Sequence, residues 1–394
     1  MEDVAADRVT MGAKRLRARL VRTLVRSGLL TDPAWRKAFL EVPRHAFLPR
    51  FFQPEAGRWA AVASTDPGWL TRIYADRVLV TQLDGDSSRW ARARGEGPLP
   101  GTPTCSSSMP TIMAVMLQAL RTEEGHRVLE IGTGTGYNAA LLCHRLGDSM
   151  VSTVDVDGEI VEATARRLLS CGYRPTCVVT DGARGYPAGA PYDRVLCTCA
   201  VSEIPLDWLE QTVPGGLVVT TLNRPLGAGM VRLTAGEGAT GFGRVLADDG
   251  RFMPLRAHRA AGIDELVAGL REAEGRTRNT ELDRATVVNP ASPFEFFAGL
   301  ELPGAAPATD QDGATVLVHP DGSWAQAGTT QDEEHQVTQG GPRALWDEAE
   351  AAHQRWLSLG QPRRARFGIT VTPLAQELWL DRPNSTHRWS LLSA

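Results

Sequence analysis

The strongest chemical signal in this sequence is a glycine-rich run, Val128-Leu129-Glu130-Ile131-Gly132-Thr133-Gly134-Thr135-Gly136. Glycines at such spacing let the backbone turn sharply out of a strand and approach a ligand closely. The spacing is G-x-G-x-G rather than the dinucleotide G-x-G-x-x-G. Two acids accompany the run. Glu130 lies in the strand that feeds the loop, and Asp155 ends the next apolar segment. A carboxylate at a second strand end accepts both ribose hydroxyls of a nucleoside. Asp181-Gly182 follows the third apolar segment, where a side chain meets an adenine edge. Glu130, Gly132, Thr133, Gly134, Gly136, Asp155, Asp181 and Gly182 are therefore the candidate cofactor-binding residues. NAD binding is the nearer alternative at this level. A loop whose glycines only make turns is the plainer one.

The elements that would hold these residues alternate. Val128–Ile131, Met150–Val154, Thr176–Thr180 and Arg194–Cys199 read as strands. Tyr137–Arg145, Glu159–Cys171 and Leu206–Gln211 read as helices between and after them. Pro214-Gly215-Gly216 reads as a turn before a strand at Leu217–Thr221. Such alternation implies a parallel sheet with right-handed crossovers. Val231–Thr234 and Phe242–Ala247 read as added antiparallel strands. Upstream, residues 11–50 read as two helices, the second starting at Asp32-Pro33, an N-cap with proline at the first position. Ile73–Gln82 reads as a strand, Leu83–Cys105 as a long polar loop, and Thr111–Arg121 as a helix. After about residue 260 the texture becomes a small α+β domain. Its expected elements are helices at Leu266–Glu274 and Pro342–Leu359 and hairpins at Ala314–Ala327 and Phe367–Leu380.

At 394 residues with 42% hydrophobic and 22% charged residues, the chain has ordinary globular composition and length for two or three domains. Its apolar runs fall short of the roughly 18–20 residues a membrane span needs, and no signal-peptide pattern opens it. Six cysteines without framework spacing point to a reduced, cytoplasmic setting. Arg8 to Arg50 holds eleven Lys/Arg against Asp32 and Glu41. Leu16, Leu20 and Leu24 recur there at helical spacing, so a solvated helix face is favoured over a nucleic-acid surface. Cys197-x-Cys199 lacks companion ligands, so no metal is expected. His45 reads as a helix-end histidine. Arg363, Arg364 and Arg366 read either as a solvated patch or as a contact for an acidic peptide. Trp324, Trp346, Trp356, Trp379 and Trp389 read as the core of the small domain or the lining of a peptide groove.

Together these residues resemble the protein-L-isoaspartate O-methyltransferase family. Val42-Pro43-Arg44-His45-Ala46-Phe47-Leu48-Pro49 is similar to its V-x-R-x-x-F-x-P element, Tyr74-Ala75-Asp76 to its Y-x-D, and Ser106-Ser107-Ser108-Met109-Pro110 to its I-S-x-P. Val128 to Leu142, Asp181-Gly182, Tyr192-Asp193, Ile204-Pro205, Pro214-Gly215-Gly216 and Phe252-Met253-Pro254-Leu255 follow in family order. The resemblance spans roughly residues 10–258. It implies a Rossmann-like doubly wound α/β class I methyltransferase domain with N-terminal helices, using S-adenosylmethionine. The expected organisation is a catalytic domain at 1–260, with 83–105 as an inserted loop, and an accessory α+β domain at 261–394 that recognises substrate. The long gap between Asp76 and Ser108 and the added tail resemble the branch found with lanthipeptides, lasso peptides and graspetides. Arg366–Thr372 and Leu378–Asp381 are similar to that branch's tail.

The resemblance implies methyl transfer to a carboxylate, which is already anionic at pH 7 and needs aiming more than a base. Ser106–Ser108 precede a helix start, where N–H groups and hydroxyls suit a carboxylate. Ser108 is expected to position it, with Ser107 as neighbour; plain N-capping is the alternative. The expected substrate is an aspartate in a constrained, ribosomally made precursor peptide, whose ester closes to an aspartimide. Repair of isoaspartyl proteins is the alternative. Nucleic-acid methylation is disfavoured, since Cys197-Thr198-Cys199-Ala200 stands where an N/D-P-P-Y/F loop would be. A monomer is expected.

Overall fold

The structure is a computed structural model and describes residues 2–258, 274–309, 314–329 and 335–391. Its contacts divide the chain into two compact units. The first takes in Met1–Cys199, Pro205–Thr220 and Thr234–Thr240. The second takes in Ala200–Ile204, Thr221–Leu233 and Gly241–Ala394, so it draws on segments before residue 260.

In the first unit, α1 (Glu2–Arg26) and α2 (Pro33–Glu41) lead the chain. Leu20, Val21 and Leu24 are buried while Arg15, Arg19, Arg22 and Arg26 are exposed, so most of the basic residues of α1 form the solvated face of an amphipathic helix, with Arg17 buried on its other side. Asp32 caps α2 by accepting the N–H groups of Ala34 and Trp35 at 2.7 and 3.3 Å. A small sheet follows, built from β1 (Arg50–Glu55), β2 (Arg58–Ala63), β3 (Leu79–Leu83) and β4 (Pro103–Ser107) in the order β2-β1-β3-β4. Between them lie α3 (Trp69–Ile73) and α4 (Arg89–Glu96).

Two expectations fail in this region. The strand expected at Ile73–Gln82 begins only at Leu79, because Ile73 closes α3. The stretch 83–105 is not a loop: it forms α4 and most of β4. Arg-Trp-Ala-Arg-Ala-Arg-Gly-Glu looks polar in sequence. However, Trp90 and Ala93, three residues apart, turn to one side and pack on Phe52, Val80 and Leu83, leaving Arg92 and Arg94 exposed.

The main layer follows α5 (Pro110–Ala119). It contains β5 (Val128–Ile131), α6 (Tyr137–Leu146), β6 (Val151–Asp155), α7 (Gly158–Ser170), β7 (Thr176–Val179), β8 (Tyr192–Val201), α8 (Leu206–Glu210) and β9 (Thr212–Asn223). The strand order β7-β6-β5-β8-β9 is doubly wound, and β5 is parallel to both β6 and β8. The order reverses between β5 and β8, which opens a crevice beyond the carboxyl ends of those strands. Pro214-Gly215-Gly216 lies inside β9, where Gly215 takes φ 84° without ending the strand.

The second unit holds most of β10 (Ala228–Ala235), β11 (Gly241–Val245), β17 (Phe367–Val371), β18 (Gln376–Leu380) and β19 (Arg388–Ser390), in the order β10-β11-β17-β18-β19. It also has a five-stranded sheet in the order β12-β16-β15-β14-β13, from β12 (Arg276–Asn279), β13 (Ala306–Thr309), β14 (Thr315–Val318), β15 (Trp324–Thr329) and β16 (His335–Gly340). Both expected hairpins form: Val318 pairs with Trp324, and Val371 with Gln376. The helix Leu345–Ser358 forms as expected. The helix expected at Leu266–Glu274 lies outside the described residues, Glu274 excepted. Trp324, Trp346, Trp356, Trp379 and Trp389 are all buried, which makes them core. Arg364 and Arg366 meet Asp249 at 2.7 Å and Asp381 at 2.8 Å.

Candidate active site

The glycine loop connects β5 to α6. Gly132, Gly134 and Gly136 take φ of 95°, 50° and 88°, so each turn requires the left-handed region. Space is as restrictive as conformation. A Cβ on Gly132 would meet the Thr198 hydroxyl at 2.7 Å, and one on Gly136 would meet the Thr164 methyl at 2.5 Å. Thr164 also donates to the Gly134 carbonyl at 2.7 Å, and Thr198 to the Gly132 carbonyl at 3.0 Å. The loop is held on both sides.

Glu130 sits opposite Thr153 in the parallel register and is completely buried, with 0% exposure. Its carboxylate accepts from the Asn138 amide at 2.6 Å and the Thr153 hydroxyl at 2.6 Å, and Thr153 in turn contacts the Thr133 hydroxyl at 2.8 Å. Burial without a cation pushes the Glu130 carboxyl up to about 7. Asp155 ends β6 and accepts from the N–H groups of Gly134 at 3.1 Å and Asp157 at 3.2 Å. Burial raises its pKa too, partly countered by those N–H groups.

A pocket opens at the crevice. The glycine loop lines it with Gly132, Thr133 and Gly134, and β4 and its exit line it with Ser107 and Ser108. These are five of the residues singled out in the sequence. Gly136 lies beneath the loop against Thr164, and Glu130 lies behind it. Asp155, Asp181 and Gly182 do not line the pocket; Asp155 touches it only through the Gly134 N–H, whose hydrogen bond it accepts. Asp181 is exposed and accepts from the Ala183 N–H at 3.0 Å, while the Gly182 carbonyl accepts from the Trp208 indole at 2.8 Å.

Ser107 is buried and Ser108 half-buried. Arg44 donates to the Ser108 carbonyl at 3.0 Å and the Ser107 hydroxyl at 3.4 Å. His45 is paired with the Tyr74 hydroxyl at 2.8 Å, and burial lowers its pKa, as suits a neutral structural ring. Among the described residues no cluster of three metal-ligating side chains exists. Cys197 is buried, with its thiol on the Cys199 carbonyl at 3.4 Å.

Four lining residues escaped the sequence reading: Thr198, Asn138, Tyr137 and Met113. Thr198 stood between two cysteines that drew attention as a metal pair. Asn138 sits eight residues after Glu130 and had no motif of its own. Its Oδ1 is buried without a partner. The site fits S-adenosylmethionine on these grounds: a glycine cradle that a side chain would fill, a strand-end carboxylate at Asp155, and an orphaned acceptor suited to a cationic ligand.

Comparison with known proteins supports this assignment. The family profile described as protein-L-isoaspartate(D-aspartate) O-methyltransferase matches residues 96–242. The protein-L-isoaspartate O-methyltransferase of Thermococcus onnurineus is 34% identical over 201 residues, covering 50% of this chain and 74% of that protein. The enzyme of the same name from Methanosarcina mazei is 33% identical over 208 residues, covering 52% and 70%. A solved protein-L-isoaspartate O-methyltransferase structure shares the fold with a TM-score of 0.52 at 24% identity, covering 93% of this chain and 100% of that one. From the glycine cradle, the strand-end carboxylate and these relatives together, the chain is an S-adenosylmethionine-dependent methyltransferase and belongs to the protein-L-isoaspartate O-methyltransferase family.

Proposed function

We propose that this protein esterifies a side-chain or isoaspartyl carboxylate of a peptide, with isoaspartyl residues as the substrate the family relationship favours. One observation carries the reading. The serines of β4 and the glycine loop line the same pocket, so an anion held by the serines lies beside the methyl donor's cradle. When bound, S-adenosylmethionine supplies an electrophilic methyl group. The chain's own residues do the rest. Gly132, Thr133 and Gly134 cradle the cofactor with Asp155 at the neighbouring strand end, Gly136 seats the loop on Thr164, Glu130 braces it from behind, and Asp181 and Gly182 take the cofactor's far end outside the pocket. Ser108, whose hydroxyl has no partner among the described residues, orients the incoming carboxylate, and Ser107 backs it. No general base is required, because the carboxylate arrives ionised. The protein acts as a monomer in the cytoplasm, and among the described residues no helix is long and apolar enough to cross a membrane.

A second reading keeps the same chemistry and changes the substrate to an aspartate in a constrained, ribosomally made precursor peptide, ending in aspartimide. The observation favouring it is the folded α4 segment beside a second compact unit in the same chain; the unit alone does not separate the readings, because the solved protein-L-isoaspartate O-methyltransferase aligns over 93% of this chain. In this reading both select the peptide. Mass spectrometry on linear isoaspartyl, linear aspartyl and cyclised aspartyl peptides separates the two. Methylation of linear isoaspartyl peptides supports the first. Net loss of water confined to cyclised aspartyl peptides replaces it with the second. Methylation of none removes both.

A further inference from the structure

We propose that Arg44 is the fixed cation that positions the substrate carboxylate at Ser107 and Ser108. This inference rests on the carboxyl-transfer reading above. Arg44 has 0% exposure. A guanidinium so deeply buried ordinarily has a carboxylate for company. Among the described residues none lies within ion-pair distance of Arg44. Its bonds go to neutral groups: the carbonyls of Ile73 at 2.6 Å, Ala75 and Arg77 at 3.3 Å and Ser108 at 3.0 Å, and the Ser107 hydroxyl at 3.4 Å. Its Nε has no partner among the described residues. The field of Asp76 reaches it, yet that carboxylate is engaged by the N–H and hydroxyl of Thr111 at 2.9 and 2.6 Å.

Three groups that touch this cation line the pocket. They are Ser107, Ser108 and the ring of Tyr137, whose centroid lies 5.9 Å from the guanidinium carbon. The positive charge thus stands behind a wall of neutral hydroxyls, with its counter-ion missing. Burial lowers the Arg44 pKa only to about 10, so the charge persists at neutral pH. A carboxylate entering the pocket completes the pair through low-dielectric protein. Arg44 acts through the serine segment, as a positioning residue. The competing account is a staple that merely ties Ile73–Arg77 to Ser107-Ser108.

The two accounts differ on charge. Affinities for acetate and for acetamide, measured by NMR titration of the cofactor-bound enzyme, give the minimal carboxylate-to-amide ratio. Isoaspartyl and isoasparaginyl peptides give the same ratio at full size. Removing the charge in Arg44→Gln should lower the ratio by about ten- to fiftyfold, while affinity for the amide partner and for S-adenosylmethionine stays within a fewfold. Arg44→Lys should restore most of it. Asp76→Asn, which keeps Arg44 in place, should raise the ratio. An unchanged ratio in Asp76→Asn, or equal losses for carboxylate and amide in Arg44→Gln, overturns the proposal, as does a wild-type enzyme that binds acetate no better than acetamide. Failure of the carboxyl-transfer reading looks different: acetate preference persists, but no carboxyl peptide is methylated.

Discussion

In the second unit, arginines stand against carboxylates. Arg366 meets Asp381, Arg364 meets Asp249, Arg355 meets Glu301, and Arg278 bridges Asp347 and Glu350. Around the pocket of the first unit the pattern is the reverse. Glu130 is buried without a cation, Arg44 is buried without an anion, and Asn138 keeps an unpartnered Oδ1. Paired charges complete a fold on their own. Uncompensated ones persist where a ligand completes them, which is why perturbed groups mark functional sites. Each expectation below breaks or sharpens this contrast.

The largest effect belongs to Ser108→Ala. Its hydroxyl faces the pocket without a partner among the described residues, so its removal costs little folding energy. Turnover should fall by about ten- to a thousandfold, with cofactor affinity nearly intact. Single-turnover rates at saturating cofactor decide it; a wild-type rate would leave the serine a bystander.

Next is the pH dependence carried by Glu130. Its folded pKa, about 7, lies above the ordinary 4.5 of an exposed glutamate. The ionised form is therefore the disfavoured one in the fold. Below about pH 4.5 the penalty is absent, and it grows as pH rises toward 7 and is then constant. Across that window the cofactor-free protein should lose about 3 kcal/mol relative to Glu130→Gln. Urea denaturation of both proteins between pH 4.5 and 8 reads the difference. Parallel pH profiles would mean the carboxyl titrates as an exposed one.

Asp155→Ala should weaken S-adenosylmethionine by roughly ten- to a hundredfold, since charge-assisted hydrogen bonds are the stronger kind. Part of the loss comes from the loop itself, because the same carboxylate anchors the Gly134 N–H at 3.1 Å. Calorimetric titration measures it. Unchanged affinity would remove Asp155 from the cofactor site.

Much of this contrast was legible in the sequence. The strand-loop-helix at 128–146 is a local feature, encoded within a few residues, and it forms, with Glu130 in the strand that feeds the loop and Asp155 at the end of the next. Long-range features were not legible in this way. Residues 83–105 look like a polar loop because Trp90 and Ala93 find their partners on neighbouring strands, Phe52 on β1 and Val80 and Leu83 on β3, and not within their own segment's pattern. Arg44 belonged to a motif, but its burial depends on carbonyls around residue 75 and on serines past residue 106. The pairing of Arg366 with Asp381 required the register of β17 and β18, which residue spacing alone leaves open.

The smallest effect tests the other side of the comparison. Arg366 meets Asp381 through Nε and Nη2, both at 2.8 Å, across two half-exposed side chains. The guanidinium holds the Asp381 carboxyl below its ordinary range, and the carboxylate raises the arginine. A depressed acid contributes stability above its ordinary pKa and loses it as pH falls through the lower folded value. Solvent screens the pair, so Arg366→Ala should cost below about 1 kcal/mol at pH 7. That small cost should vanish in strong acid, once Asp381 is protonated. Methyl transfer to a small carboxyl peptide should be untouched, because the charge is already answered within its own unit. Thermal denaturation at pH 7 and at successively lower pH down to about 2, below the ordinary carboxylate range, together with one activity assay, tests all three points. A large loss of turnover at unchanged melting temperature would show that a paired arginine also handles substrate, and would erase the distinction between the two regions.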